Sequence, residues 1–198
     1  MKLDISKITD YLYVAASPQA SDVPDLEARC IRLIISMIGG HPPLEVFSNN
    51  PFQLLWLETI DSIFIPMPVE KLEQGVEAAL PIIQKGDGVM VYCVQGRHRS
   101  VAMATAILIA MGYTLPKAVS IIQKQRAIAD PNAWHILWQL QRFEVKWHNQ
   151  TASTDSWSER LIDIYSKSAT EIISCWVYCL IKISDFHSLK RYLKLSRI

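Results

Sequence analysis

The chain has 198 residues, half of them hydrophobic, and 20 basic against 19 acidic side chains leave a net charge of +1. That length suits one domain with an extension, and the apolar half suffices for a sizeable core. So balanced a charge, with no basic run interleaved with aromatics, argues against a nucleic-acid binder.

From Ile5 to Val14 apolar and polar positions alternate, as in an outer strand. Asp22 then caps, and Pro24 opens, a helix reaching to Cys30. Ile31 to Ile38 reads as a central strand, broken by Gly39-Gly40-His41-Pro42-Pro43. Pro43 to Asn50 is a short helix or loop, and Leu54 to Leu57 a further strand. Asp61 to Pro68 forms a proline-punctuated loop, a suitable platform for a mobile acid. Val69 to Gln84 places Leu72, Val76, Ala79, Leu80 and Ile83 on one helical face. Pro81 is expected to bend or locally disrupt that helix. Gly86-Asp87-Gly88 turns into the next strand.

The richest stretch follows. Gly88 to Cys93 reads as a buried strand, and Ser100 onward as a buried helix. Between them Val94, Gln95, Gly96, Arg97 and His98 must curl tightly, and Gly96 supplies freedom at positive φ. In such a curl successive backbone N–H groups form an anion nest, and the helix behind adds its positive end. Arg99 brings a planar fork for two phosphate oxygens. The same field lowers the pKa of Cys93 and makes its thiolate a nucleophile. Ser100 is placed to donate a hydrogen bond to that sulfur and help it leave.

Three more helices are expected: Val101–Met111, Leu115–Ala129 and Asn132–His148. Strands with intervening helices predict an α/β fold, a central mixed, mostly parallel sheet flanked by helices. A site at the carboxyl end of a strand suits such a sheet. Trp134, Trp138 and Trp147 at helical spacing read as core packing, and His135 and His148 as surface residues.

The Cys93-x5-Arg99-Ser100 loop resembles the signature of the cysteine-dependent protein phosphatases, in particular their dual-specificity class. Ile8–Ala15 and Asp22–Ile38 resemble that family's opening elements. Arg126…Pro131-Asn132-Ala133-Trp134…Gln139-Leu140…Phe143-Glu144 is similar to its Arg-x4-Pro-Asn-x-x-Phe…Gln-Leu…Phe-Glu segment. The resemblance covers residues 5 to about 148. It implies attack by Cys93 on a phosphomonoester, protonation of the leaving oxygen by an aspartic acid, and hydrolysis of the phospho-enzyme, without metal or cofactor. Asp61 falls at the family's spacing for that acid, with Glu70 and Glu58 as successive alternatives. Asn132 matches a position that steadies the loop from behind, and Arg126 is either a second buttress or a surface charge.

The chain departs from the pattern at three places. Tyr92 stands where a histidine usually precedes the nucleophile and organises the loop. His98 replaces a serine. Arg97 gives a Gly-Arg-x-Arg run like that of lipid-directed relatives, and extra cations at the rim would favour highly charged substrates. The implied substrate is a phosphorylated protein or peptide, phosphotyrosine first, with phosphoserine or phosphothreonine if the cleft is shallow. The alternatives are a phosphoinositide or phospholipid phosphatase, and a catalytically weak phosphate-binding adaptor.

The four cysteines, at 30, 93, 175 and 179, fit neither a zinc spacing nor a disulfide framework. A cysteine nucleophile needs a reducing compartment, and Met1–Lys7 has no signal-peptide core, so the cytoplasm is the expected location. The domain is expected over 1–150. The extension 151–198 reads as a polar linker and an apolar helix with a basic end, packing on the domain or on a second copy, with docking on a membrane surface as the alternative. Its densest apolar run is short of the ~20 residues of a spanning helix.

Overall fold

A computed structural model of the chain describes residues 3–62 and 64–151. The chain divides into two compact units, Met1–His148 and Asn149–Ile198, and the description concerns the first. The expectations for the extension lie outside the described residues.

Five strands form one sheet: β1 (Ile5–Lys7), β2 (Leu12–Ala15), β3 (Ile31–Ser36), β4 (Gln53–Trp56) and β5 (Gly88–Tyr92). Their order is β1-β2-β5-β3-β4, and only the β1–β2 pair is antiparallel. The mixed, mostly parallel sheet is therefore present. The single outer strand expected over Ile5–Val14 is instead a hairpin. Thr9 stops the first strand: its hydroxyl accepts hydrogen bonds from the backbone N–H groups of Tyr11 and Leu12, a local turn that competes with extended pairing. The chain then returns as β2, buried throughout beside β5.

Side chains alternate across the sheet and so divide the core in two. Val14, Leu33, Ile35, Val89 and Val91 face one apolar layer with Leu72, Val76, Met103 and Ile107. That layer is covered by α2 (Val69–Gln84), α3 (Arg99–Ala110), α4 (Leu115–Gln125) and α5 (134–151). Tyr13, Ile34, Met90 and Tyr92 face the other layer, with Leu26 from α1 (Val23–Ala28) and Phe47 from a short turn of helix at Glu45–Ser48. α3 is nearly all apolar, and every residue from Arg99 to Ile109 is buried.

α2 continues through Pro81, which forfeits one backbone bond near the helix end. α4 ends at Gln125 because Arg126 turns extended, at φ −135° and ψ 99°. α5 presents Ile136, Leu140 and Phe143 to the core. Trp147 stacks on Phe143 with ring centroids 5.6 Å apart. Trp134 and Trp138 fall on the other side and are 65% and 46% exposed, which corrects their reading as core. Among the described residues, no helix is long and apolar enough to cross a membrane.

Candidate active site

β5 lies between β2 and β3 at the middle of the sheet, and Cys93 follows its carboxyl end. The chain then curls through five residues and enters α3 at Arg99. Gly96 sits at φ +65°, and a Cβ there would stand 2.7 Å from the Ala15 carbonyl oxygen and against the Arg126 guanidinium. Only glycine meets both demands.

Arg126 is buried behind this curl. Its Nε donates to the Gly96 carbonyl at 2.6 Å and its Nη2 to the Gln95 carbonyl at 3.2 Å. Nη1 donates to Asp4 Oδ1 at 3.0 Å and Ser6 Oγ at 3.1 Å, and Nη2 to Asp4 Oδ2 at 2.9 Å. In a trans peptide the carbonyl and the next N–H point opposite ways. Holding the carbonyls of 95 and 96 toward Arg126 therefore turns the N–H groups of Gly96 and Arg97 toward the mouth of the loop. The Arg97 N–H is hydrogen-bonded to Cys93.

The Cys93 thiol is buried, with Sγ 3.2 Å from Ser100 Oγ. Burial alone would push its pKa up. The Ser100 hydroxyl, the backbone N–H groups of Ser100 and Arg97 and the charge of Arg99 outweigh it, and the net displacement is downward. The arrangement favours the thiolate.

Arg99 is held at one tip. Its Nη1 donates to the carbonyls of Met37 at 2.8 Å and Thr59 at 3.0 Å. Nη2 pairs with Asp61 Oδ2 at 2.9 Å. Nε is buried without a hydrogen-bond partner among the described residues. A buried guanidinium donor left unpaired calls for an acceptor, and an oxyanion above the loop would satisfy it. The cleft over Arg99 has a volume of about 620 Å³, with Gly39, Gly40, Glu58, Thr59, Asp61 and Val94 in its walls.

Of the three acid candidates, the structure brings Asp61 to Arg99, with its carboxylate largely exposed. Glu58 lines the cleft but accepts the Gly40 N–H at 2.8 Å. Glu70 opens α2 and pairs with Lys146 at 3.5 Å. Its own backbone N–H first, and Lys146 after opposing desolvation, hold its carboxyl low, the wrong direction for a proton donor.

The rim is less cationic than its residue types suggest. Asp130 Oδ2 lies 3.8 Å from both Arg97 Nη2 and His98 Nε2. His135, read as a surface residue, is half-buried with its Nδ1 enclosed and unpartnered among the described residues, and its ring meets that of His98 edge-on at 5.6 Å. Burial first, and His98 second, push its pKa down against the pull of Asp130 and Asp61. Asn132 is exposed and hydrogen-bonds to none of the loop. The support behind the loop comes from Arg126, which holds the carbonyls of Gln95 and Gly96. Tyr92 is buried on the opposite face of β5 from Cys93, hydrogen-bonded to Ser36.

Among the described residues, no group of three or more His, Cys, Asp or Glu side chains could hold a metal ion. The carbonyls of Met37 and Thr59 and the Asp4–Ser6 pair went unread in the sequence. Strand ends carry no side-chain signal for the former, and the latter lie more than a hundred residues from Arg126.

No family model matches the chain. It is 27% identical over 130 residues to the protein-tyrosine-phosphatase MKP1 of Arabidopsis thaliana, covering 65% of this chain and 16% of that protein. It is 36% identical over 75 residues to dual specificity phosphatase 28 of Mus musculus, covering 37% and 45% of the two. The chain thus spans less than half the length of either relative. A crystal structure of PTPMT1 in complex with PI(5)P superposes with a TM-score of 0.67 at 23% identity, over 74% of this chain and 98% of that one.

Proposed function

We propose that this chain belongs to the dual-specificity class of cysteine-dependent phosphatases, to which its relatives point, and hydrolyses phosphomonoesters through a phospho-cysteine. Its substrate is a phosphorylated protein or peptide, phosphotyrosine first, with phosphoserine and phosphothreonine admitted where a short side chain reaches the loop. The observation that carries this reading is the unpartnered Nε of Arg99 beside a sulfur whose pKa is held down. The charge of that unsatisfied fork acts on the activated nucleophile, and such a pairing marks a functional site.

In this mechanism the phosphate oxygens take the loop N–H groups and the Nε–Nη2 edge of Arg99. They displace the Asp61 carboxylate, which takes up a proton from solvent or from the phosphate monoanion as it leaves Arg99 and moves to the leaving oxygen. The Cys93 thiolate forms an S–P bond as the P–O ester bond breaks, and protonated Asp61 gives its proton to the departing oxygen. Asp61 then takes a proton from water, whose oxygen attacks phosphorus and breaks the S–P bond. Ser100 donates to the sulfur as it leaves with the electron pair. A thiolate of this kind works in a reducing compartment, which supports the cytoplasm as its location.

The test is turnover of p-nitrophenyl phosphate by the full chain, inhibited by vanadate and abolished in Cys93→Ser. A wild-type protein that binds vanadate but turns over no aryl phosphate is the phosphate-binding adaptor instead. The second reading, a phosphoinositide phosphatase, is favoured by Arg97 at the rim and by the likeness to PTPMT1. The pairing of Arg97 with Asp130 weighs against it. Side-by-side turnover of a phosphotyrosine peptide and phosphoinositide micelles decides between them.

A further inference from the structure

A second cavity, of about 290 Å³, lies beside the phosphate cleft and shares two of its walls, Ile38 and Val94. We propose that this cavity is a subsite for one uncharged apolar side chain flanking the phosphorylated residue, so that the substrate is a phosphopeptide with a large apolar neighbour. The inference rests on the phosphatase reading and narrows its substrate.

The walls decide what fits. Pro43, Leu44 and Phe47 face the cavity together with Ser17, Gln19 and His41, and no Lys, Arg, Asp or Glu lines it. A charged guest would be desolvated without a partner, which disfavours a second phosphate or an acidic neighbour. At its floor the Tyr92 hydroxyl and Ser36 are bonded to each other. Burial raises the Tyr92 pKa, only partly offset by Ser36, so the phenol stays neutral. A floor whose polar groups are already paired suits an apolar side chain better than a hydroxyl-rich headgroup.

Size and position agree. The volume equals roughly ten waters at about 30 Å³ each, a space for one large side chain. Consecutive Cα atoms lie about 3.8 Å apart, and successive side chains of an extended peptide point opposite ways. A residue one or two positions from the phosphorylated one can therefore cross the Ile38–Val94 ridge and turn down into the cavity. Leu44, 46% exposed, stands partly open to an arriving chain.

The experiment compares phosphotyrosine peptides that differ only at the two positions on either side of the phosphorylated residue. Leu or Phe in one of these positions should raise kcat/KM about tenfold over Ala or Asp, mainly through KM, as burial of a large apolar side chain requires. Leu44→Arg should remove that preference while turnover of p-nitrophenyl phosphate stays at the wild-type level. Equal kcat/KM across the peptides, with aryl phosphate still hydrolysed, overturns the subsite and leaves the phosphatase reading standing. So does a preference that survives Leu44→Arg. If Leu44→Arg instead impairs only long-chain over short-chain phosphoinositides, the occupant is an acyl chain and the proposal is wrong. Absence of aryl phosphate turnover in the wild type removes the phosphatase reading and this inference together.

Discussion

Arg126 donates its Nε–H to the Gly96 carbonyl at 2.6 Å from behind the loop, while the same guanidinium grips Asp4 just ahead of β1. One buried side chain ties the loop between Cys93 and Arg99 to the first strand. Arg126→Met would leave the carbonyls of Gln95 and Gly96 without this donor, at about 1–3 kcal/mol for the buried Gly96 group and less for Gln95, which is exposed. We expect a fall of several degrees in Tm, a loss of at least about tenfold in kcat/KM on aryl phosphate and a parallel loss of vanadate affinity, because N–H groups released from that restraint no longer converge. Arg126→Lys should recover charge but not the fork, and so little of the activity. Wild-type vanadate affinity in Arg126→Met would refute the buttress.

The partner position makes a separate demand. At φ +65° an alanine in place of Gly96 pays ~1–2 kcal/mol for its backbone alone, and its Cβ would still press on the Ala15 carbonyl oxygen at 2.7 Å. Gly112, at φ +95° with nothing within 4 Å of a built Cβ, carries the backbone cost only. Gly96→Ala is expected to lose phosphate binding, and Gly112→Ala to lose stability without activity. Thermal melts paired with vanadate titration separate the two.

These tests also mark where the sequence could be read and where it could not. The strand, Cys93, Gly96, Arg99 and α3 are contiguous, so their relation was visible as a local pattern. Asp61 was reached only through the family resemblance, with Glu70 and Glu58 left as alternatives, and the structure brings it to Arg99. Arg126 was ambiguous, because its partners lie 30 and 122 residues away and no local period reports them. The Thr9 turn was hidden inside a regular alternation of apolar and polar residues, which a hairpin preserves across its bend. Trp134 and Trp138 sit four apart, as core residues would, yet Ile136, Leu140 and Phe143 set the buried face.

The thiolate of Cys93 gives a pH signature. Burial opposes ionisation, and the Ser100 hydroxyl is first among the groups that overcome it. Removing that hydroxyl in Ser100→Ala must raise the Cys93 pKa. The midpoint of iodoacetamide alkylation, and the acid limb of kcat/KM, should therefore move to higher pH. On the acid side of the wild-type midpoint the variant should react several-fold more slowly than wild type, and well above both midpoints at a similar rate. An unshifted alkylation profile would mean that the loop N–H groups and Arg99 suffice without the hydroxyl.

Asp61 occupies one tip of Arg99 at 2.9 Å, and its side chain is 60% exposed. So open an ion pair is worth about 0–1 kcal/mol. Asp61→Asn should therefore leave vanadate affinity unchanged or raise it no more than about fivefold. If Asp61 is the proton donor proposed above, its loss should cost about 10²–10⁴ in kcat, most with alkyl phosphates, whose leaving oxygen most needs the proton. Glu58→Gln and Glu70→Gln should keep kcat near wild type. A kcat collapse in Glu70→Gln with normal turnover in Asp61→Asn would reassign the acid.

Asp130 offers the test of the rim. Its carboxylate lies 3.8 Å from Arg97 and from His98, so the two groups that would attract polyanions face a counter-charge of the chain's own. Asp130→Asn retains the backbone bond from its N–H to the Arg97 carbonyl at 3.1 Å and removes only the charge. Turnover of a phosphoinositide relative to p-nitrophenyl phosphate should then rise a few-fold at low ionic strength. The gain should fade in high salt, where the Debye length shrinks to about 3 Å at 1 M. Arg97→Ala in the Asp130→Asn background should cancel it. A ratio that ignores Asp130 and salt alike would show that the rim charge plays no part in substrate choice, leaving selection to the depth of the loop and the walls beside it.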